Sequence, residues 1–314
     1  MLNRRHIRIK VMQGIYAMHK HESENLDKEE KFLFQSIENM YDLYLLMLSA
    51  LLEIRLKEEE YLDLASKKHL ATKEERNPNR KFVENKLLTL LANSESLENA
   101  IEERAITNWK RNDDVILLLL EAIKTSELYQ DYMNSTTSSF TDDKNFIADL
   151  FSEVIAPNEK LYDYLEDRNL TWLDDLPVVN TALVKLLNKA KENSSDDYFT
   201  PQLFKDDEDK EFGIELLRYT VQNLEAYTEE ISLKTQNWDK DRIADIDFVL
   251  LQMAICEFHE FPSIPTKVSI NEYIEIAKEY STPKSNVFIN GVLDKIVKEN
   301  NENNTLNKIG RGLM

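Results

Sequence analysis

Residues 262–299 read PSIPTKVSINEYIEIAKEYSTPKSNVFINGVLDKIVKE, and this stretch decides the fold. Pro265 and Thr266 lead into a helical period over 267–280. Ser281-Thr282-Pro283 then stops one helix and starts another, with Thr282 read as an N-cap and Pro283 at the first helical position. The last helix is expected to run to about Glu299, with Val287, Phe288, Val292, Leu293 and Ile296 on one apolar face. Asn290-Gly291 within it reads as a place where two helices approach closely.

Outward from that stretch the same helical period recurs, and no alternating strand pattern interrupts it. Five Gly and seven Pro in 314 residues leave little material for hairpins or Gly-rich phosphate loops. The expected fold class is therefore all-α, a helical bundle. Residues 3–20 read as one helix with Ile7, Val11, Ile15 and Met18 on its core stripe, and residues 28–69 as a long helix or helix pair. Asn77-Pro78, Pro157, Pro177, Pro201 and Pro262 mark boundaries. Residues 192–210 read as an acidic surface linker, and the Asn-rich stretch from Asn300 as a frayed, disordered tail.

A weak internal repeat is visible. Phe82 precedes Trp109 by 27 residues, Phe146 precedes Trp172 by 26, and Phe212 precedes Trp238 by 26. Each Trp is followed by a short acidic stretch and an apolar helix, which suggests either duplicated or independently similar helical hairpins. In both cases the tryptophans read as packing anchors.

Charge sets the functional question. The formal net charge is −19, yet the first 21 residues contain Arg4, Arg5, Arg8, Lys10 and Lys20 with no Asp or Glu. An acidic protein repels polyanions on average, so a concentrated cationic terminus points to a local anion site, with RNA as first candidate. Arginines near a helix N-terminus oppose the macrodipole, and a phosphate there would neutralise them. The competing reading is a solvated cationic helix start, or arginines paired with this chain's many acids.

Other classes fare poorly. The single Cys256, flanked by Ile255 and Phe258, reads as a core thiol in a reducing, cytoplasmic compartment. The apolar run 115–120 is too short to cross a bilayer, and Arg8, Lys10 and His19 interrupt the N-terminal stretch, so neither signal peptide nor membrane span is expected. His6, His19, His21, His69 and His259 show no zinc-type spacing, and no nucleophile elbow or kinase signature is present. The expectation is a protein that binds without catalysis, metal or cofactor.

Two segments together resemble the NusB family of transcription antitermination factors. The first is Arg4-Arg5-His6-Ile7-Arg8 followed by Val11-Met12-Gln13-Gly14-Ile15-Tyr16. The second begins at 242–258 and continues through Ile264-Pro265-Thr266-Lys267-Val268-Ser269-Ile270-Asn271-Glu272. It ends on Phe288-Ile289-Asn290-Gly291-Val292-Leu293-Asp294-Lys295. The likeness covers about 20 residues at the start and about 90 at the end. It implies segments 1–44 and 206–299 as NusB-like helices, 45–205 as an inserted helical region, and 300–314 as a tail.

The resemblance also implies a function. Family members pair with the small-subunit ribosomal protein that doubles as NusE. The pair binds single-stranded boxA RNA and helps the RNA polymerase antitermination complex read through terminators, notably in rRNA operons. Arg4, Arg5 and Arg8 fall on the family's RNA-contacting arginines, with Lys10 and His6 beside them. Lys284, where some relatives are acidic, would border the same groove. Phe288 has two readings, core packing or stacking on an unpaired base. Tyr16 and Asp247 read as helix-edge residues or as contacts to the RNA or protein partner. An alternative is a helical interaction scaffold, or an accessory module for RNA modification, without boxA binding. Similar helical domains precede RNA cytosine methyltransferases, but no methyltransferase sequence follows residue 299, so that alternative needs a separate partner.

Overall fold

The computed structural model describes residues 2–21, 25–136, 139–235 and 243–313. Among the described residues it is helical, with no strand. In chain order the helices are α1 (Arg4–His21), α2 (Leu26–Ser66), α3 (Lys73–Arg76), α4 (Lys86–Ala92), α5 (Glu95–Glu103), α6 (Asn108–Arg111), α7 (Asp113–Thr125) and α8 (Glu127–Asn134). They continue as α9 (Phe140–Leu150), α10 (Glu159–Arg168), α11 (Thr171–Lys189), α12 (Asp207–Gln222), α13 (Leu224–Lys234), α14 (Asp245–Glu260), α15 (Thr266–Tyr280) and α16 (Ser285–Glu302). The chain divides into two compact units: Met1–Ile37 with Leu203–Met314, and Glu38–Gln202.

The first unit is built round α14. Residues 249–258 of that helix are all buried, as expected of a helix apolar on every side. Helices α1, α12, α13, α15 and α16 surround it. Helix α1 runs antiparallel to α14, because Arg8 meets Glu257 near one end and Lys20 meets Asp245 at the other. It runs parallel to α12, where Arg4 meets Asp209 and Ile7 lies against Gly213. A Cβ on Gly213 would sit 2.8 Å from Ile7 Cγ2, so glycine permits this close approach. Gly213→Val is expected to cost about 1–3 kcal/mol through overpacking, read as a lower denaturant midpoint.

In the second unit, the part of α2 from Glu38 onward offers backbone carbonyls to two tryptophans. Trp109 Nε1 donates to Leu46 O and Ser49 Oγ, and Trp172 Nε1 to Asn39 O. Both rings are buried and act as anchors. Phe82 and Phe146 meet edge to face at 6.3 Å, and Phe146 stacks on Tyr132 at 3.8 Å. The first two phenylalanines of the repeat therefore share one core. Trp238 and Arg242 lie outside the described residues.

Several local expectations are corrected. Pro177 lies inside α11 rather than at a boundary. Proline forfeits one backbone hydrogen bond, and the buried face of Trp172, Leu176, Val179 and Leu183 carries the helix through it. The stretch 192–210 is not simply a surface linker, because Phe199 is buried and the Asp196 carboxylate accepts from Glu95 N and Ser96 N at the start of α5. Helix α16 starts at Ser285, two residues beyond Pro283, with Lys284 in the N-cap position. Gly291 faces open space, and among the described residues no helix closes on the position a Cβ would take there. Cys256 is a fully buried thiol, pushed up to about 12 by burial.

The tail from Asn300 is ordered rather than frayed. Helix α16 continues to Glu302, and a 3-10 turn follows at Gly310–Leu313. Lys308 Nζ donates to the carbonyls of Glu257 and Phe261, and Ile309 N donates to Pro262 O. Glu257 O and Phe261 O also accept from Phe261 N and Ile264 N, so the lysine adds a second, charged donor to each at the C-terminal end of α14, which is why a polar, Asn-rich segment finds a fixed seat.

Candidate functional site

The N-terminus of α1, the turn between α14 and α15, the start of α15 and the tail enclose a cleft of about 840 Å³. Its lining includes Arg4, Arg5, Arg8, Lys267, Glu272 and Arg311. On its walls stand five cations and one carboxylate. Counting Glu208, Asp209 and Glu257, which pair with these arginines, five cations meet four carboxylates. Glu275 and Glu279 also act on Arg5, so in a chain of net charge −19 the cationic lining brings this region close to neutral.

Arg4 stands at the start of α1, where its charge opposes the helix dipole. Helix α12 compensates, since Asp207, Glu208 and Asp209 fill its first turn. Arg4 Nε donates to Asp209 Oδ1 at 2.7 Å and Nη2 to Glu208 Oε1 at 2.6 Å. Arg5 Nε and Nη2 donate as a fork to Glu272, both at 2.8 Å. That bond and the Arg5 charge hold the Glu272 carboxyl below its ordinary range. A guanidinium has five N–H donors, and each of these pairs uses two. Both side chains stay about one-third exposed, so they retain donors toward the cleft while the carboxylates fix their orientation.

Arg8 differs. Its side chain is 3% exposed and donates from Nε and Nη2 to Glu257 at 2.5 and 2.9 Å. Ser269 Oγ and Tyr273 Oη also donate to that carboxylate, at 2.7 and 2.6 Å. Burial alone would raise the Glu257 carboxyl, but the Arg8 charge and these donors hold it below its ordinary value. The Arg4 and Arg8 guanidinium carbons each lie 5.1 Å from the centre of the Phe212 ring, a cation–π geometry. Arg8 thus forms the floor of the cleft as an internal ion pair, which corrects its reading as an RNA contact.

Lys10 is corrected for a related reason. It is buried at 4% exposure. Residues 7–12 are all buried, because α12, α14 and α15 pack on different sides of α1, leaving no continuous cationic face on that helix. Phe288 is likewise buried and faces the core, so it is not an open stacking platform. Asp247 is buried and accepts from Ser281 Oγ at 2.6 Å and Ser285 Oγ at 2.7 Å. It ties α14 to the start of α16 and is not presented to a partner.

Lys284 is exposed but does not line the cleft. It lies beside Ser285, which Asp247 holds near the Lys20–Asp245 end of α1. Arg5 and Lys20 are about 22 Å apart along that helix. Tyr16 is half-buried at the same end, 5.5 Å below Lys20 Nζ. The expected single groove is therefore two stations.

Sequence reasoning missed Glu257, Asp209 and Arg311 and gave no role to Lys267. Helix α15 begins with Pro265 in the N-cap position and no side-chain cap, so its first N–H groups add positive potential beside Lys267.

His6 adds no charge at neutral pH. Burial and the neighbouring Arg5 draw its imidazole down to about 4 from 6.5. Its Nδ1 accepts from Asn3 N at 3.4 Å, while Asn3 Oδ1 accepts from His6 N at 3.1 Å. A folded value below the unfolded one means stability that is present above pH 6.5 and lost as pH falls toward 4. Denaturant titrations across that window are expected to show this loss, and His6→Gln is expected to flatten it.

An all-helical unit with a cleft lined mostly by cations, on a chain of net charge −19, defines a helical class of protein with a local cationic site. Among the described residues no helix is long and apolar enough to cross a membrane, and no cluster of His, Cys, Asp and Glu could hold a metal ion. The NusB family model matches residues 178–298. The transcription antitermination protein NusB of Salinibacter ruber is 45% identical over 112 residues, 36% of this chain and 70% of that protein. The NusB protein of Chloroherpeton thalassium is 42% identical over 105 residues, 33% of this chain and half of that protein. That of Natranaerobius thermophilus is 42% identical over 83 residues, 26% of this chain and 60% of that protein. No solved structure matches significantly. The chain belongs to the NusB family.

Proposed function

We propose that this protein is a cytoplasmic, RNA-binding transcription antitermination factor. It binds a boxA-like single-stranded RNA together with the ribosomal protein NusE and promotes read-through by the RNA polymerase antitermination complex, notably in rRNA operons. The single observation that carries the reading is the cationic cleft at the N-terminus of α1, in a member of the NusB family whose net charge is −19. Arg4 and Arg5 offer oriented guanidinium donors to phosphates. Lys284 supplies a second station, which a strand several nucleotides long reaches along α1. Tyr16 is an edge residue for the strand or for NusE. No step of chemistry is involved. The unit Glu38–Gln202 is an enlargement of the family's helical body.

One observation favours the rival scaffold reading: Arg4, Arg5 and Arg8 are each paired with carboxylates of this chain. Filter binding of the full chain to boxA-like and scrambled single-stranded RNA, with and without NusE, separates the two. Preferential, salt-sensitive retention of the boxA-like strand is expected. Equal or absent retention of both strands at moderate salt would favour the scaffold.

A further inference from the structure

We propose that the C-terminal tail is a built wall of the RNA cleft, and that Arg311 with Lys267 seats a backbone phosphate of the bound strand. This rests on the RNA-binding reading and deepens it. The tail lies beyond residues 178–298, where the family model matches, so it is a feature of this chain rather than of the matched region.

The tail is held by separate anchors. Lys308 Nζ bonds the carbonyls of Glu257 at 3.0 Å and Phe261 at 2.9 Å, where the C-terminal end of α14 attracts a cation. Ile309 N bonds Pro262 O at 3.1 Å. Gly310 turns the chain at φ +53°. Gly312 is buried against Pro262, and a Cβ there would lie 2.0 Å from the Pro262 oxygen. Only glycine permits that approach. Arg311 is thus fixed between two glycines, each with a distinct backbone task, and it lines the cleft.

Its charge is what the cleft has to spare. Arg4 faces Asp209 and Glu208, Arg5 faces Glu272, and Arg8 faces Glu257. Lys267 and Arg311 are both exposed and have no carboxylate partner among the described residues. The uncompensated positive charge therefore sits with these two side chains, which line the same cleft as the paired arginines. A polyanion gains most where a cation is not already compensated. The favoured ligand is a phosphodiester strand, since the cleft is open and its arginines are oriented for planar or tetrahedral oxyanions.

Fluorescence anisotropy with a fluorescein-labelled boxA-like RNA dodecamer and the full chain tests this. Arg311→Ala is expected to bind about fivefold more weakly and to lower the log–log salt slope by about 0.7, the loss of one phosphate contact. Its melting temperature should not move, because the side chain is exposed and unpaired. Gly312→Val, which undocks the wall, should reproduce the loss. Wild-type affinity and slope in Arg311→Ala, alongside weakened binding by Arg5→Ala, would overturn the proposal and leave the RNA reading standing. Tighter binding by Arg311→Ala would overturn it too, by showing that the tail covers the site. Failure of the wild-type chain to bind the dodecamer would overturn the RNA reading and this inference with it.

Discussion

Arg8→Ala is expected to destabilise the chain by about 3–5 kcal/mol, the cost of leaving a buried charge without its partner. Glu257 is fully buried, and Arg8 provides two of its four side-chain donors. Without Arg8, Ser269 and Tyr273 remain, but neither carries charge. The Glu257 carboxyl then moves up and takes a proton. Thermal or denaturant unfolding reads the effect, and the deficit should shrink toward low pH. Replacing both partners, as Arg8→Met with Glu257→Leu, is expected to cost markedly less than Arg8→Ala alone, because no orphan charge is left. Equal stability of Arg8→Ala and wild type would show that the pair is not the keystone of α1 packing. One consequence concerns RNA assays: Arg8 variants mix folding defects with binding defects, whereas Arg5 variants do not.

Charge reversal at the cleft mouth is the second large effect. Arg5→Glu with Lys267→Glu changes four units of charge and places a carboxylate beside Glu272. RNA affinity is expected to fall about 100-fold at moderate salt, with the log–log slope reduced by about 1.4 for two lost phosphate contacts. Stability should change little, because Lys267 is exposed and Arg5 is about one-third exposed, and exposed pairs contribute up to about 1 kcal/mol. Anisotropy and melting of the same preparation check both parts. Undiminished affinity would remove the cleft from the binding surface.

Much of the fold is legible locally. The 3.6-residue period and the proline punctuation mark α1, α2 and α15 to within a few residues, because helix formation rests on neighbours in sequence. Pro177 escaped that logic because tertiary packing of α11 outweighs one lost backbone bond. The cationic terminus is visible in composition alone, but its fate is not. Arg8 meets Glu257 across 249 residues and Arg4 meets Asp209 across 205. No local pattern announces pairings at that separation. The burial of Lys10, and the choice of core packing over stacking for Phe288, are hidden for the same reason: they are set by which helices surround α1 and α16. The Gly310-Arg311-Gly312 triplet was a usable signal, since a cation between glycines in a glycine-poor chain marks backbone with a specific task.

The central claim is that a single-stranded RNA occupies the cleft at the N-terminus of α1. Hydrogen–deuterium exchange of the full chain, with and without the boxA-like strand, tests it most directly. Added protection should fall on the first turns of α1, on the start of α15 and on the tail around Arg311. Protection confined to the unit Glu38–Gln202, or none at saturating RNA, would contradict the account.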